Sequence, residues 1–261
     1  MNKARLERLS CSFYFLLLLL FLQIKLKLAA IKKTANKHLH RVKESIMDKI
    51  AIVIGATGLV GNALVDHLAD ANHIGKIITL TRSSAKHSSS KVFNQTVDFD
   101  QLEHYAESFN ADFLFSCLGT TIKQAGSIAA QRKVDLDYQY KAAQLAVNNG
   151  VDHYLLVSSS AANEKSNSEY LKMKGELEQR IKSLPFKRIS IFQPSLLLGQ
   201  RADFRLGEKI GSWVMTALCV IPWLRRFRPI TGEQVAAKMV LVSQQSGQSI
   251  EFFRLDEIFI K

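Results

Sequence analysis

The chain predicts an α/β fold built on a doubly wound parallel sheet with a small C-terminal cap. Two observations carry the prediction: short apolar, β-favouring runs alternate with stretches of helical period from Lys49 onward, and the first run ends in a glycine-rich turn. The runs are Ile50–Ile54, Ile77–Leu80, Val92–Val97, Phe113–Leu118, Tyr154–Val157 and Arg188–Phe192. Helical spacing covers Leu59–Ala71, Gln101–Phe109, Ser127–Asn149 and Ser168–Ser183 between them. The polar stretch Ser83–Ser90 reads as a loop after the second strand. After Pro194 the alternation degrades, and about 195–229 mixes aromatic, glycine and basic residues, the composition expected of a substrate cap.

At 261 residues and 47% hydrophobic content the chain is long enough for a large core. Cys11, Cys117 and Cys219 are widely spaced and odd in number, which argues against a disulfide framework and for a reducing compartment. The seven histidines show no metal-ligand spacing. The formal charge of +12 suggests nucleic acid until it is located: residues 1–46 carry +8 of it, leaving +4 for residues 47–261. A broad nucleic-acid footprint on the folded part is therefore not expected.

Residues 1–46 form a basic leader around the apolar run 11–24, followed by Lys25 and Lys27. A spanning helix needs about 20 apolar residues, so the stretch 11–28 reaches that length only if the two lysines snorkel. Three readings stand: a membrane anchor with the heavier positive charge holding the rest on the cytoplasmic side, a targeting segment, or an extension upstream of a start at Met47. In each, residues 47–261 are the folded domain, expected in the cytoplasm or facing it.

The most informative stretch is Gly55-Ala-Thr57-Gly58-Leu59-Val60-Gly61 at the end of the first strand. A buried strand that stops, turns tightly and starts a helix leaves unpaired N–H groups and a positive dipole end facing the turn, where a phosphate fits. Gly55 permits the turn, Gly58 lets backbone approach a pyrophosphate, and Gly61 lets the helix pack close to the strand. After the second strand the chain has Thr81-Arg82-Ser83 where an NAD site would place an acid, and a cation there favours a 2′-phosphate. Asp98, ending the third strand, is a candidate for the adenine amino group or for a helix N-cap. Gly119, in Cys117-Leu118-Gly119-Thr120-Thr121, suits a close backbone passage beside the cofactor. Cys117 ends an apolar strand without a basic partner in sequence and is not expected to be a nucleophile.

The catalytic signal is Ser158-Ser159-Ser160 at the end of the fifth strand, followed by Tyr170 and Lys174 at the start of a helix. Residues four apart share one helical face. A phenol titrates near 10, too high for acid–base work at neutrality, and a neighbouring ammonium stabilises the phenolate. Lys174 also suits a ribose contact, and a serine hydroxyl would polarise a substrate carbonyl beside Tyr170.

Together with Val97-Asp98-Phe99, Val134-Asp135-x-Asp137-Tyr138, Lys174-Gly175-Glu176 and Phe192-x-Pro194 with Leu197, these motifs resemble the short-chain dehydrogenase/reductases over about residues 48–243. Within that family the chain is similar to the atypical, NmrA-like branch of Tat-interacting-protein type. The resemblance implies a Rossmann fold and NADPH contacts at Thr57, Gly58, Leu59, Val60, Arg82, Leu118, Gly119, Tyr170, Lys174, Leu197 and Arg205, with Tyr170 as proton donor or acceptor. Two positions depart from the pattern: Gln193 stands where relatives often have arginine, and Ser83 where a second basic residue can follow Arg82. Ser159 and Ser160 both stay open as the catalytic serine.

The expectation is an oxidoreductase using NADP(H) in preference to NAD, acting on a small carbonyl or alcohol. Its rivals are an NADP(H)-sensing regulatory protein without turnover and a nucleotide-sugar epimerase or dehydratase.

Overall fold

The computed structural model describes residues 49–198 and 225–260, together with Lys25, Lys27 and Lys32. Contacts divide the chain at Met47/Asp48. Of the first unit only the three lysines are described, each helical and exposed.

In the second unit, seven parallel strands form one sheet: β1 (Lys49–Ile54), β2 (Ile74–Thr81), β3 (Val92–Thr96), β4 (Phe113–Ser116), β5 (His153–Val157), β6 (Arg188–Gln193) and β9 (Ile250–Arg254), in the order β3-β2-β1-β4-β5-β6-β9. The central strands β4 and β5 are buried at every residue, whereas the edge strands β3 and β9 contain no buried residue. Such runs need cover on both faces. In β1, Ala51 and Val53 point into a core covered by α1 (Leu59–Asp70) and α6 (Gly232–Gln244). Ile52 and Ile54 enter the opposite core, covered by α4 (Tyr138–Asn148) and α5 (Glu169–Lys182). A short parallel pair, β7 (Leu197–Leu198) with β8 (Ile230–Thr231), stands apart from the main sheet.

Two expectations need correction. Gln101–Phe109 is a 3₁₀ segment, Phe99–Phe109, broken by non-helical dihedrals at Gln101 and Tyr105. The Ser127–Asn149 stretch is helical within caps at those two residues, with a π turn, Lys133–Asp137, joining α3 (Ile128–Arg132) to α4, and a separate short helix α2 (Ile122–Ala125) precedes it. The Phe113–Leu118 run leaves the sheet after Ser116, because Cys117 onward turns across the end of β1. Most of the expected cap, 199–224, lies outside the described residues.

Candidate active site

The strand order reverses between β1 and β4, which pair in parallel from Ala51–Phe113 to Ile54–Ser116. Loops leaving such neighbours part to opposite faces, so a crevice opens at the strand ends. A cavity of about 900 Å³ lies there, lined by Gly55, Thr57, Gly58 and Leu59 from the first turn, Arg82 after β2, and Cys117 to Thr120 after β4.

The three glycines perform separate tasks. Gly55 has φ +79°, and a Cβ on it would sit 2.5 Å from the Cys117 carbonyl carbon. Gly58, whose N–H donates to Gly55 O at 3.0 Å, is the N-cap of α1 and supplies no side-chain cap. The first N–H groups of the helix are thus left for a ligand, and no acidic residue sits in that turn. Gly61 lies buried beneath the cavity, where a Cβ would meet Gly55 O at 2.0 Å. Val60 is also buried and outside the lining.

Leu118 and Gly119 line the cavity, and Arg82 is exposed at its wall. Asp98 does not line it: its carboxylate accepts from Asp100 N at 2.9 Å and caps the 3₁₀ segment. Leu197 is half-buried in β7, away from this lining, and Arg205 lies outside the described residues. Burial pushes the Cys117 thiol up to about 12, with Lys174 opposing it, so it is no thiolate at neutral pH.

Tyr170 and Lys174 lie on one face of α5, one turn apart. Tyr170 is 37% exposed, whereas Lys174 is 3% exposed. The lysine reaches Asp135, wholly buried in the π turn, at 3.0 Å. Asp135 Oδ1 has no well-directed donor, so the contact is an ion pair rather than an aligned hydrogen bond. Burial pulls the Lys174 ammonium down, but Asp135, Tyr170 and Glu178 more than compensate and hold its pKa above the ordinary lysine value. The other Asp135 oxygen accepts from Thr120 N at 2.9 Å, and Gln131 Nε2 donates to Thr120 O at 3.1 Å. The π turn therefore joins the loop lining the cavity to the helix bearing Tyr170 and Lys174. Asp135 belongs to the Val134–Tyr138 motif, whose pattern in sequence assigns it no role. The available signal was an acid inside a helical, largely apolar period.

The serine cluster divides. Ser158 is buried and donates to Glu178 of α5, so its hydroxyl is committed to structure. Ser159 and Ser160 are half-buried in the turn that follows. That turn is held by Ser160 N to Pro194 O at 3.0 Å and passes through Ala161 at φ 64°, a costly left-handed conformation for alanine. Gly175 lets the loop return across the helix, since a Cβ there would lie 2.2 Å from Glu164 N.

Comparison with known proteins agrees with this geometry. Residues 47–204 match the model of the NmrA-like family. Protein HTATIP2 of Rattus norvegicus is 36% identical over 167 residues, covering 62% of this chain and 69% of the relative. Protein FMP52, mitochondrial, of Eremothecium gossypii is 32% identical over 206 residues, covering 76% of this chain and 90% of the relative. Among solved structures, the Bordetella bronchiseptica enzyme WbmH in complex with NAD+ superposes with TM-score 0.61 at 10% identity, over 79% of this chain and 75% of the other. The UDP-N-acetylglucosamine 4-epimerase of Methanobrevibacter ruminantium M1 gives TM-score 0.60 at 16% identity, over 80% of this chain and 77% of the other. At such identities the structures speak for the fold. The glycine cradle, the switch-point crevice and these matches identify the chain as a member of the NmrA-like family, the NAD(P)-binding atypical branch of the short-chain dehydrogenase/reductases.

Proposed function

We propose that the protein is an NADP(H)-dependent oxidoreductase that interconverts a small carbonyl compound and its alcohol. The observation that carries the reading is a buried, charged lysine one helical turn from a solvent-accessible tyrosine, joined through Asp135 to the wall of the switch-point cavity. A binding protein has no chemical need for that costly arrangement.

The residues fit a dinucleotide. The cradle at Gly55–Gly61 would be closed by any Cβ at Gly55 or Gly61, and uncapped N–H groups of α1 face it. Thr57, Gly58, Leu59, Leu118 and Gly119 would hold it, and Arg82 would meet a 2′-phosphate. When bound, the nicotinamide supplies or accepts the hydride. Tyr170 gives a proton to the carbonyl oxygen, or takes it from the alcohol. Lys174 lowers the cost of the phenolate through its fixed positive charge. The hydroxyl of Ser159 or Ser160 donates to the substrate oxygen and holds it against Tyr170.

The test is turnover of a carbonyl panel with NADPH and with NADH, for the full chain, Tyr170→Phe and Arg82→Glu. The expected result is NADPH oxidation abolished in the first variant with binding retained, and preference moved toward NADH in the second. NADPH binding without turnover in the parent would favour a sensing role. Cofactor that stays bound through purification would favour an epimerase or dehydratase. We place the domain facing the cytosol; the FMP52 relatives carry "mitochondrial" in their names, so fractionation should include a mitochondrial surface.

A further inference from the structure

We propose that Glu178 is a positioning residue that locks the serine turn to the helix carrying the acid–base pair; the inference rests on the oxidoreductase reading. Tyr170, Lys174 and Glu178 follow one another at four-residue spacing on α5, and Glu178 is 6% exposed. Among the described residues, its bond from Ser158 Oγ is the single side-chain hydrogen bond between residues 158–161 and this helix. Ser159 and Ser160 come next in the chain, in a turn whose left-handed Ala161 would relax if released. Backbone bonds from Ser160 N to Pro194 O at 3.0 Å and from Asn163 N to Leu171 O of α5 at 3.1 Å anchor the far side of the turn, and the Ser158–Glu178 bond fixes its near side, where small displacements of a donor hydroxyl beside Tyr170 cost rate steeply.

The chemistry of the cluster requires a carboxylate. Glu178 receives donors from both sides: the Ser158 hydroxyl, and Gln193 Nε2 at 2.9 and 3.1 Å from its two oxygens. Arg254 Nε donates to Gln193 Oε1 at 3.1 Å, which turns the amide so that its NH₂ faces Glu178. An acceptor-only group satisfies every donor; a glutamine could keep its oxygen on Ser158 but would turn its own NH₂ toward that of Gln193, and a leucine would accept from neither. Burial raises the carboxylate's pKa, opposed by Gln193, Ser158, Lys182 and Arg254. The carboxylate is costly at a position where a leucine would pack, and the connection it makes to the serine turn is what it provides.

The experiment compares Glu178→Leu, Ser158→Ala and the double variant in the full chain, by steady-state kinetics with NADPH and by hydrogen–deuterium exchange. Each single variant is expected to lower kcat roughly 10-fold or more, short of the 10²–10³ lost when an oxyanion donor itself is removed, with NADPH affinity unchanged within about 2-fold. The double variant is expected to be no worse than the worse single, because both remove one connection. Exchange at Ser159–Ala162 should rise in both singles while α1 is unaffected. Losses that multiply in the double variant, or an unchanged turn in either single, would overturn the proposal. A parent that turns over nothing would refute the oxidoreductase reading alone, since exchange still reports on the connection. If Glu178→Leu fails to fold, Ser158→Ala deletes the same bond by removing one hydroxyl and decides the matter.

Discussion

Asp135→Asn leaves the Lys174 ammonium facing an amide in place of the carboxylate now 3.0 Å away, in a site where the lysine side chain is 3% and the aspartate 0% exposed. Removing one partner of a buried pair typically costs about 3–5 kcal/mol, because the surviving charge stays desolvated without its counter-charge. Asparagine also presents its oxygen to only one of Lys174 and Thr120 N–H, adding roughly 1–3 kcal/mol if the loop cannot adjust. Against a total stability of about 5–15 kcal/mol this is a large fraction. The pH dependence has a definite sign. In the parent the folded lysine pKa is raised, so its contribution is complete below the unfolded value and is lost as pH rises through the folded one. In the variant the unpaired ammonium is depressed by burial, so the penalty is largest at low pH and shrinks as pH rises toward 10 and the lysine sheds its proton. Urea unfolding of parent and variant at pH 7 and pH 9.5 measures both effects. A second variant, Asp135→Leu with Lys174→Met, removes both charges and should recover much of the loss. A cost below about 1 kcal/mol for Asp135→Asn, with no narrowing at high pH, would refute the ion-pair argument.

Two further predictions follow from the geometry. Gly61→Ala places a Cβ 2.0 Å from the Gly55 carbonyl oxygen, a backbone atom that cannot swing aside, so the cradle must open. NADPH affinity should fall at least roughly 10-fold and stability by about 1–3 kcal/mol, measured by fluorescence titration and melting; undiminished affinity would show that the tight packing is dispensable. The second concerns His153, which burial and then Arg188 lower to about 3. Its Nε2 lies 2.8 Å from Ser190 Oγ, which in turn donates to Glu251 at 2.6 Å, so the imidazole nitrogen is the donor. A depressed histidine contributes stability above its unfolded pKa near 6.5 that is lost as pH falls toward 3. Between pH 6.5 and 5 the loss should be about 1–2 kcal/mol, at 1.36 kcal/mol per unit. His153→Gln should flatten that slope in urea titrations, and parallel pH profiles would exclude the assignment.

The architecture was legible because the inner strands of the sheet, β1, β2, β4, β5 and β6, are largely local apolar runs, and because the Gly55–Gly61 turn has a stereochemical demand that glycine alone meets at positive φ or at backbone contact. β9 was not legible: Ile250–Arg254 is a half-exposed edge strand without a continuous apolar run, and its place follows from pairing with β6. The π turn at Lys133–Asp137 was hidden for a similar reason, since the helical period continues through it and only the buried partner of Asp135 reveals why the backbone widens.

By itself the sequence determined the α/β class, the glycine cradle and the Tyr170–Lys174 spacing, all set by interactions within a few residues. Tertiary structure alone decided which of three adjacent serines is buried against the helix carrying the acid–base pair, since Ser158 faces Glu178 across the fold while Ser159 and Ser160 stay half-buried. It also decided that Lys174 is buried against Asp135, 39 positions earlier in the chain, and that Asp98 caps a 3₁₀ segment. Local propensity and periodicity act over one or two turns of chain, whereas the charge and burial of a site are set by groups that only the folded sheet brings together.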